Sequence, residues 1–246
     1  MPETAVATSF TDKLTASREA ARALATATTA QKNTALRAIA DAVLRNQARV
    51  LQANELDLAN GRDNGLSAGL QDRLRLDEKR LIALSQAVLE IVALPDPVGD
   101  VVRGSSLENG LQLTQIRVPF GVVGAIYEAR PNVTIDIAAL ALKSGNAVVL
   151  RGGTAAENTN RVLVEVIQSA LEEAGLPIES VQTIDEFGRE GAKELMRARG
   201  FVDVLIPRGS ADLINSVVDN STVPVIETGA GVVHIYLDES ADLENS

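Results

Sequence analysis

The 246-residue chain contains no cysteine and one histidine, His234. Without thiols it can form no disulfide, no cysteine-ligated zinc site and no cysteine nucleophile. One histidine cannot build a histidine-rich metal site, so no metal is expected. Aromatic residues make up only 2% of the chain. The core must therefore come from Ala, Val, Leu and Ile, which suits helices on a parallel sheet more than a sandwich pinned by large rings. No run approaches the ~18 consecutive apolar residues of a membrane span; the longest candidate, Phe120 to Tyr127, has the length of a strand. Cations are in deficit as well: 23 Lys and Arg face 33 Asp and Glu, for a net charge of −10. Such a chain repels phosphate backbones, which argues against nucleic-acid binding through general electrostatics. The stretch from Met1 to Leu14 has neither an apolar signal core nor an Arg-rich transit pattern, so a cytoplasmic location is expected.

What is present is a chain of 46% hydrophobic residues, enough for a sizeable core and too many for wholesale disorder. The first ~95 residues read as helix. Segments Thr11–Ala27, Thr29–Arg49, Leu51–Asn60 and Asp77–Leu94 carry apolar residues at three- and four-residue spacing, and Pro95 and Pro97 stop the last of them. Beyond Pro97 the period changes. Val98 to Val118, with Glu108-Asn109-Gly110 as turn chemistry, predicts a protruding two-stranded hairpin.

From Gly121 the chain alternates between β and α. Strands are expected at Val122–Tyr127, Ala147–Leu150, Val181–Ile184, Val202–Ile206 and Val223–Ile226. Helices are expected at Val133–Lys143, Ala156–Ala174, Arg189–Arg199 and Ala211–Asp219. The continuous apolar run Val122–Tyr127 marks a strand buried on both faces. Five strands alternating with helices predict an α/β fold with a doubly wound, Rossmann-like parallel sheet. Ligands of such sheets bind outside the carboxyl ends of the strands.

Neither the G-x-G-x-x-G fingerprint nor a G-x-x-x-x-G-K-[ST] phosphate loop is present, so attention falls on five strand-end loops. In Arg151-Gly152-Gly153-Thr154, the glycines permit close backbone approach and Arg151 offers a planar cation suited to phosphate. Thr154-x-x-Glu157 equally fits a capping box for the next helix, and a capped N-terminus still presents amides to an anion. Arg208-Gly209-Ser210 repeats this logic, with Ser210 as N-cap or phosphate ligand. Glu128-Ala129-Arg130-Pro131-Asn132 reads either as an Arg–Glu ion pair with a helix cap or as a site where Asn132 donates to a substrate carbonyl. Asp185–Gly188 carries no motif of its own. Glu227-Thr228-Gly229 sets one carboxylate at the mouth of the last strand, and His234 lies in a strand-like alternation outside the candidate site.

The stretches Val118-Pro119-Phe120-Gly121 through Glu128-Ala129-Arg130-Pro131-Asn132-Val133-Thr134, and Ala139 through Leu150-Arg151-Gly152-Gly153, strongly resemble the γ-glutamyl phosphate reductases of the aldehyde dehydrogenase superfamily. Val202 to Gly209 and Val223 to Gly229 look like the same family. The resemblance runs from the first helices to Ser246. It implies NADPH-dependent reduction of L-glutamate 5-phosphate to L-glutamate 5-semialdehyde in proline biosynthesis, through a cysteine thiohemiacetal and thioester. It implies a cofactor-binding domain of residues 1–97 and 119–226, an oligomerisation hairpin of residues 98–118, and the start of a catalytic domain at 227–246. Asn132 falls at the oxyanion asparagine. Arg151 replaces a lysine that meets the adenosine ribose. Thr154 stands where NAD-preferring relatives often have a glutamate, so NADP is the implied cofactor. Gly152, Gly153, Arg208, Gly209, Ser210, Glu227, Thr228 and Gly229 complete the implied cofactor site, and Glu227 takes the general-base position. A homo-oligomer is implied, with glutamate 5-kinase as pathway neighbour. Two departures stand out. Gly231-Val232-Val233-His234 replaces a common Gly-Asn-Cys-His, and the family's nucleophilic cysteine lies beyond Ser246. The chain is therefore expected to bind cofactor without doing chemistry. The alternatives are another acylating aldehyde dehydrogenase, or a cysteine-free cofactor-binding or oligomerisation module.

Overall fold

The computed structural model describes residues 9–228 and 233–242. Five helices open it: α1 (Phe10–Leu24), α2 (Thr29–Arg45), α3 (Gln47–Asp63), α4 (Ala68–Leu74) and α5 (Glu78–Ala93). Local sequence sets several starts. Ser9 with Asp12 and Thr28 with Gln31 form reciprocal capping boxes, and Asp77 accepts from the Arg80 amide at 2.7 Å. Helix α4 was not expected from the sequence; at seven residues, with Gly69 near its start, it is too short to show an apolar stripe.

Strands β1 (Val101–Ser106) and β2 (Gln112–Ile116) form the expected antiparallel hairpin, and every residue of both strands is exposed. The α/β portion follows as β3 (Val122–Tyr127), α6 (Pro131–Lys143), β4 (Ala147–Arg151), α7 (Glu157–Glu173), β5 (Val181–Thr183), α8 (Gly188–Met196), β6 (Val204–Arg208) and α9 (Ala211–Asn220). The sheet is parallel with order β5-β4-β3-β6. β3 and β4 are buried at every position, as their unbroken apolar runs require. Right-handed crossovers put α6 and α7 on one face and α8 on the other, where α1 joins it. The strand order reverses between β3 and β6, so the crevice at their carboxyl ends is the topological switch point.

Three expectations are corrected. The stretch Val223–Ile226 is not a full fifth strand. Val225 makes an isolated bridge to Leu205, with Leu205 N donating to Pro224 O at 2.8 Å and Ile226 N to Leu205 O at 2.9 Å. Pro224 has no amide to extend the ladder. The alternation around His234 does not form a strand: residues 233–238 are irregular, and Ile235 and Tyr236 are more than four-fifths exposed. The Thr154-x-x-Glu157 capping box is not made. Thr154–Ala156 is a single 3₁₀ turn, and Thr154 accepts no cap hydrogen bond. The cap of α7 comes instead from α3. The Asp57 carboxylate accepts from the Asn158 and Thr159 amides at 3.2 and 2.8 Å and from the Thr159 hydroxyl at 2.6 Å.

Candidate functional site

The switch point brings together the ends of β3 and β6. A cavity of about 340 Å³ there is lined by Tyr127, Glu128, Arg130, Val133, Arg208, Gly209, Ser210 and Thr228, with Arg73 from the end of α4. Ser210 is the N-cap of α9, as expected, with its Oγ accepting from the Leu213 amide at 3.4 Å. The same hydroxyl and the Ser210 amide donate to Glu128 Oε1 at 2.6 and 2.9 Å. These two bonds, followed by the charges of Arg130 and Arg73, hold the Glu128 carboxyl below the usual range. The expected Glu128–Arg130 ion pair is absent among the described residues, because Glu128 turns to the helix start. Gly209 makes room for it: a Cβ there would lie 2.7 Å from Glu128 Cδ and 2.8 Å from Leu213 Cδ2.

The loop after β4 is bound into the protein itself. Arg151 is only 8% exposed, and its guanidinium donates to the Gly152 and Gly188 carbonyls. A Cβ on Gly152 would strike Asn160 Nδ2, and one on Gly153 would come 2.7 Å from the Ala129 amide. Both glycines thus answer to close packing inside the fold. Thr154 is exposed. Beneath the loop runs a buried polar chain that no local motif announces. Tyr127 Oη and Thr134 Oγ1 are 2.7 Å apart, Thr134 donates to Asn160 Oδ1 at 2.9 Å, and Asn160 donates to Asp185 Oδ2 at 3.2 Å. Asp185 Oδ1 accepts from the Gly152 amide at 2.7 Å. Burial pushes the Asp185 carboxyl up to about 6, against the lowering effect of the Gly152 and Asn160 hydrogen bonds.

Asn132 sits in the first turn of α6, after Pro131 at the helix start. Its carboxamide donates to Asp136 Oδ2 at 3.1 Å. Burial raises the Asp136 carboxyl, opposed by Asn132 and by the charge of Arg208. Both residues line a second cavity, of about 560 Å³, together with Arg73, Arg75, Arg80 and Arg130. Sequence reasoning found Arg130 but missed Arg73 of α4, Arg75 at its exit and Arg80 of α5. The available signal was Arg73-Leu74-Arg75-Leu76, where buried leucines alternate with exposed guanidinium groups. Glu227 and Thr228 are exposed at the rim, and Gly229 lies outside the described residues.

A phosphate-bearing cofactor fits the β6–α9 turn. Arg208 and Ser210 are exposed there, and the Ala211 and Asp212 amides head a ten-residue helix with no hydrogen-bond acceptor among the described residues. At α7 the corresponding amides are already taken by Asp57. Among the described residues no cluster of His, Asp or Glu could hold a metal, and no helix is long and apolar enough to cross a membrane.

The sequence matches the aldehyde dehydrogenase family over residues 3–246. It is 69% identical to gamma-glutamyl phosphate reductase of Leifsonia xyli subsp. xyli, across 98% of this chain and 57% of that protein. The crystal structure of gamma-glutamyl phosphate reductase from Thermotoga maritima superposes with a TM-score of 0.89 at 43% identity, covering 96% of this chain and 57% of that one. The Saccharomyces cerevisiae enzyme of the same name gives 0.82 at 34% identity, over 96% of this chain and 60% of the other. The chain thus spans somewhat more than half the length of the relatives it matches.

Proposed function

The chain belongs to the aldehyde dehydrogenase family, and from that premise we propose that it is the cofactor-binding part of a γ-glutamyl phosphate reductase. The whole enzyme would use NADPH to reduce L-glutamate 5-phosphate to L-glutamate 5-semialdehyde and phosphate in proline biosynthesis. The observation that carries this reading is the position of Asn132, in the wall of a guanidinium-lined cavity beside the carboxyl edge of the sheet. The name shared by relatives across nearly this whole chain supports the choice of substrate.

Each residue then has a task. One Nδ2 hydrogen of Asn132 is committed to Asp136, which fixes the carboxamide and leaves its second hydrogen for an acyl oxygen as negative charge develops. Arg73 and Arg130 line both cavities and meet the phosphate as it leaves. Arg208, Ser210 and the first amides of α9 hold the cofactor's pyrophosphate. Thr154, exposed on this loop, faces its 2′-phosphate, and Arg151 reaches it by exchanging its hydrogen bonds to the Gly152 and Gly188 carbonyls for the phosphate oxygens, with Gly152 and Gly153 shaping the loop. NADPH supplies the hydride when bound. Glu227 and Thr228 border the nicotinamide end, where an acyl-phosphate reductase has no water for Glu227 to activate. The chain has no cysteine, so the covalent step needs a thiol from outside these residues. The exposed hairpin β1–β2 pairs subunits in a cytoplasmic homo-oligomer, and glutamate 5-kinase precedes the enzyme in the pathway.

Calorimetric titration tests the cofactor half of this reading. NADPH should bind more tightly than NADH, by roughly 10- to 150-fold if the 2′-phosphate gains one charge-assisted contact. Arg151→Ala should remove most of that difference. Equal affinities in a folded protein would overturn it.

A further inference from the structure

We propose that the 560 Å³ cavity between α4, α5 and the start of α6 receives the amino-acid end of the substrate, with Arg75 taking the α-carboxylate and Asp136 the α-ammonium. The assignment rests on the glutamyl phosphate reading above and names the residues that read the glutamyl group.

Charge is the first support. Four guanidinium groups and two carboxylates line this cavity in a chain whose net charge is −10. An acidic protein that gathers unbalanced cations around a hollow is built for an anion. The arginines are not equivalent. Arg80 is engaged: it donates to the Asp72 and Arg75 carbonyls at 2.6 and 2.7 Å, and to the Asp72 carboxylate at 3.0 Å. It braces the turn and cancels Asp72. Arg73, Arg75 and Arg130 make no ion pair or side-chain hydrogen bond among the described residues. Arg73 and Arg130 also line the cavity at the strand ends, whereas Arg75 lines only the larger one. That places Arg75 away from the reacting end.

Rigidity is the second support. The buried Asn54 carboxamide donates to Leu74 O at 2.9 Å and accepts from Leu76 N at 2.7 Å. The backbone on both sides of Arg75 is therefore pinned to α3, which lowers the entropy lost when its side chain meets a ligand. Spacing is the third. Asp136 lies four residues beyond Asn132 on α6, a rise of about 6 Å; its Oδ2 accepts from Asn132 Nδ2 at 3.1 Å, which leaves Oδ1 for an α-ammonium and the second Asn132 hydrogen for the acyl oxygen at the other end of the carbon chain. Leu84 and Ala87 give the methylenes an apolar wall. Volume is ample, since small-ligand sites begin near ~300 Å³.

The test titrates the chain with L-glutamate, with glutarate (which lacks the ammonium) and with 4-aminobutyrate (which lacks the α-carboxylate). The parent should prefer L-glutamate over glutarate by about tenfold or more. Asp136→Asn should abolish that preference while glutarate still binds, which shows that the cavity is intact. Arg75→Gln should weaken L-glutamate and glutarate together by about tenfold and leave 4-aminobutyrate unchanged. A parent that does not distinguish L-glutamate from glutarate, or an Asp136→Asn protein that still does, overturns the assignment. The two readings fail separately. Glutamate selectivity without NADPH preference upholds the cavity and removes the reductase reading; NADPH preference without glutamate selectivity removes the cavity assignment alone.

Discussion

The carboxylate of Glu128 accepts hydrogen bonds from both the amide and the hydroxyl of Ser210, so the start of α9 is met by an acid from the end of β3. The start of α7 is met in the same way by Asp57 of α3. Both helix starts that the sequence offers for phosphate thus carry a carboxylate of the protein itself. They differ in exposure. Asp57 is buried, while Glu128 borders an open cavity beside Arg73 and Arg130.

At Glu128 the consequence is competition. A pyrophosphate at the α9 N-terminus meets a negative charge already placed there. Glu128→Gln keeps a hydrogen-bond acceptor and removes that charge, so NADPH affinity should rise about two- to fivefold, the worth of a charge beside a helix end. Calorimetry decides it; unchanged or weaker binding would show that Glu128 does not compete with the cofactor.

At Asp57 the consequence is stability. Asp57→Ala strands the Asn158 and Thr159 amides and the Thr159 hydroxyl in the interior. Urea unfolding should show a loss of about 2–3 kcal/mol. A loss below about 0.5 kcal/mol would mean that α7 does not depend on this distant cap.

Asp185 gives a pH signature. Its folded pKa of about 6 lies above its ordinary value of 3.8, so the folded state holds this proton more tightly than the unfolded chain. The stabilisation is complete below pH 3.8 and is lost as pH rises through about 6, with an amplitude on the order of 3 kcal/mol. Measured by urea unfolding from pH 4 to 7, the parent should lose stability relative to Asp185→Asn across that window. Parallel curves would contradict it.

Much of the architecture was legible because it is local. The apolar run Val122–Tyr127, the three- and four-residue stripes of the early helices, and the turn at Glu108-Asn109-Gly110 each encode their own element. What was not legible is long-range. Thr154 and Glu157 have capping-box spacing, yet Asp57, about a hundred residues earlier, takes the amides, and no local pattern carries that. Gly152 read as an opening for a ligand, whereas in the fold it is the room that Asn160 needs. Asn132 and Arg130 were both found by their strand-end position, and resemblance added the oxyanion role of Asn132. Arg73 and Arg75 escaped notice because their cavity exists only once the fold sets the end of α4 across from the start of α6.

These residues, by the reading proposed above, form one part of a γ-glutamyl phosphate reductase, a claim that a single assay decides. The chain is joined to the remainder of its Leifsonia xyli relative, and phosphate-dependent NADP reduction by L-glutamate 5-semialdehyde is followed at the absorbance of NADPH. The joined protein should turn over, while the 246-residue chain alone stays at the level of a mock purification. A folded joined protein without phosphate-dependent turnover, or turnover by the chain alone, would contradict the claim.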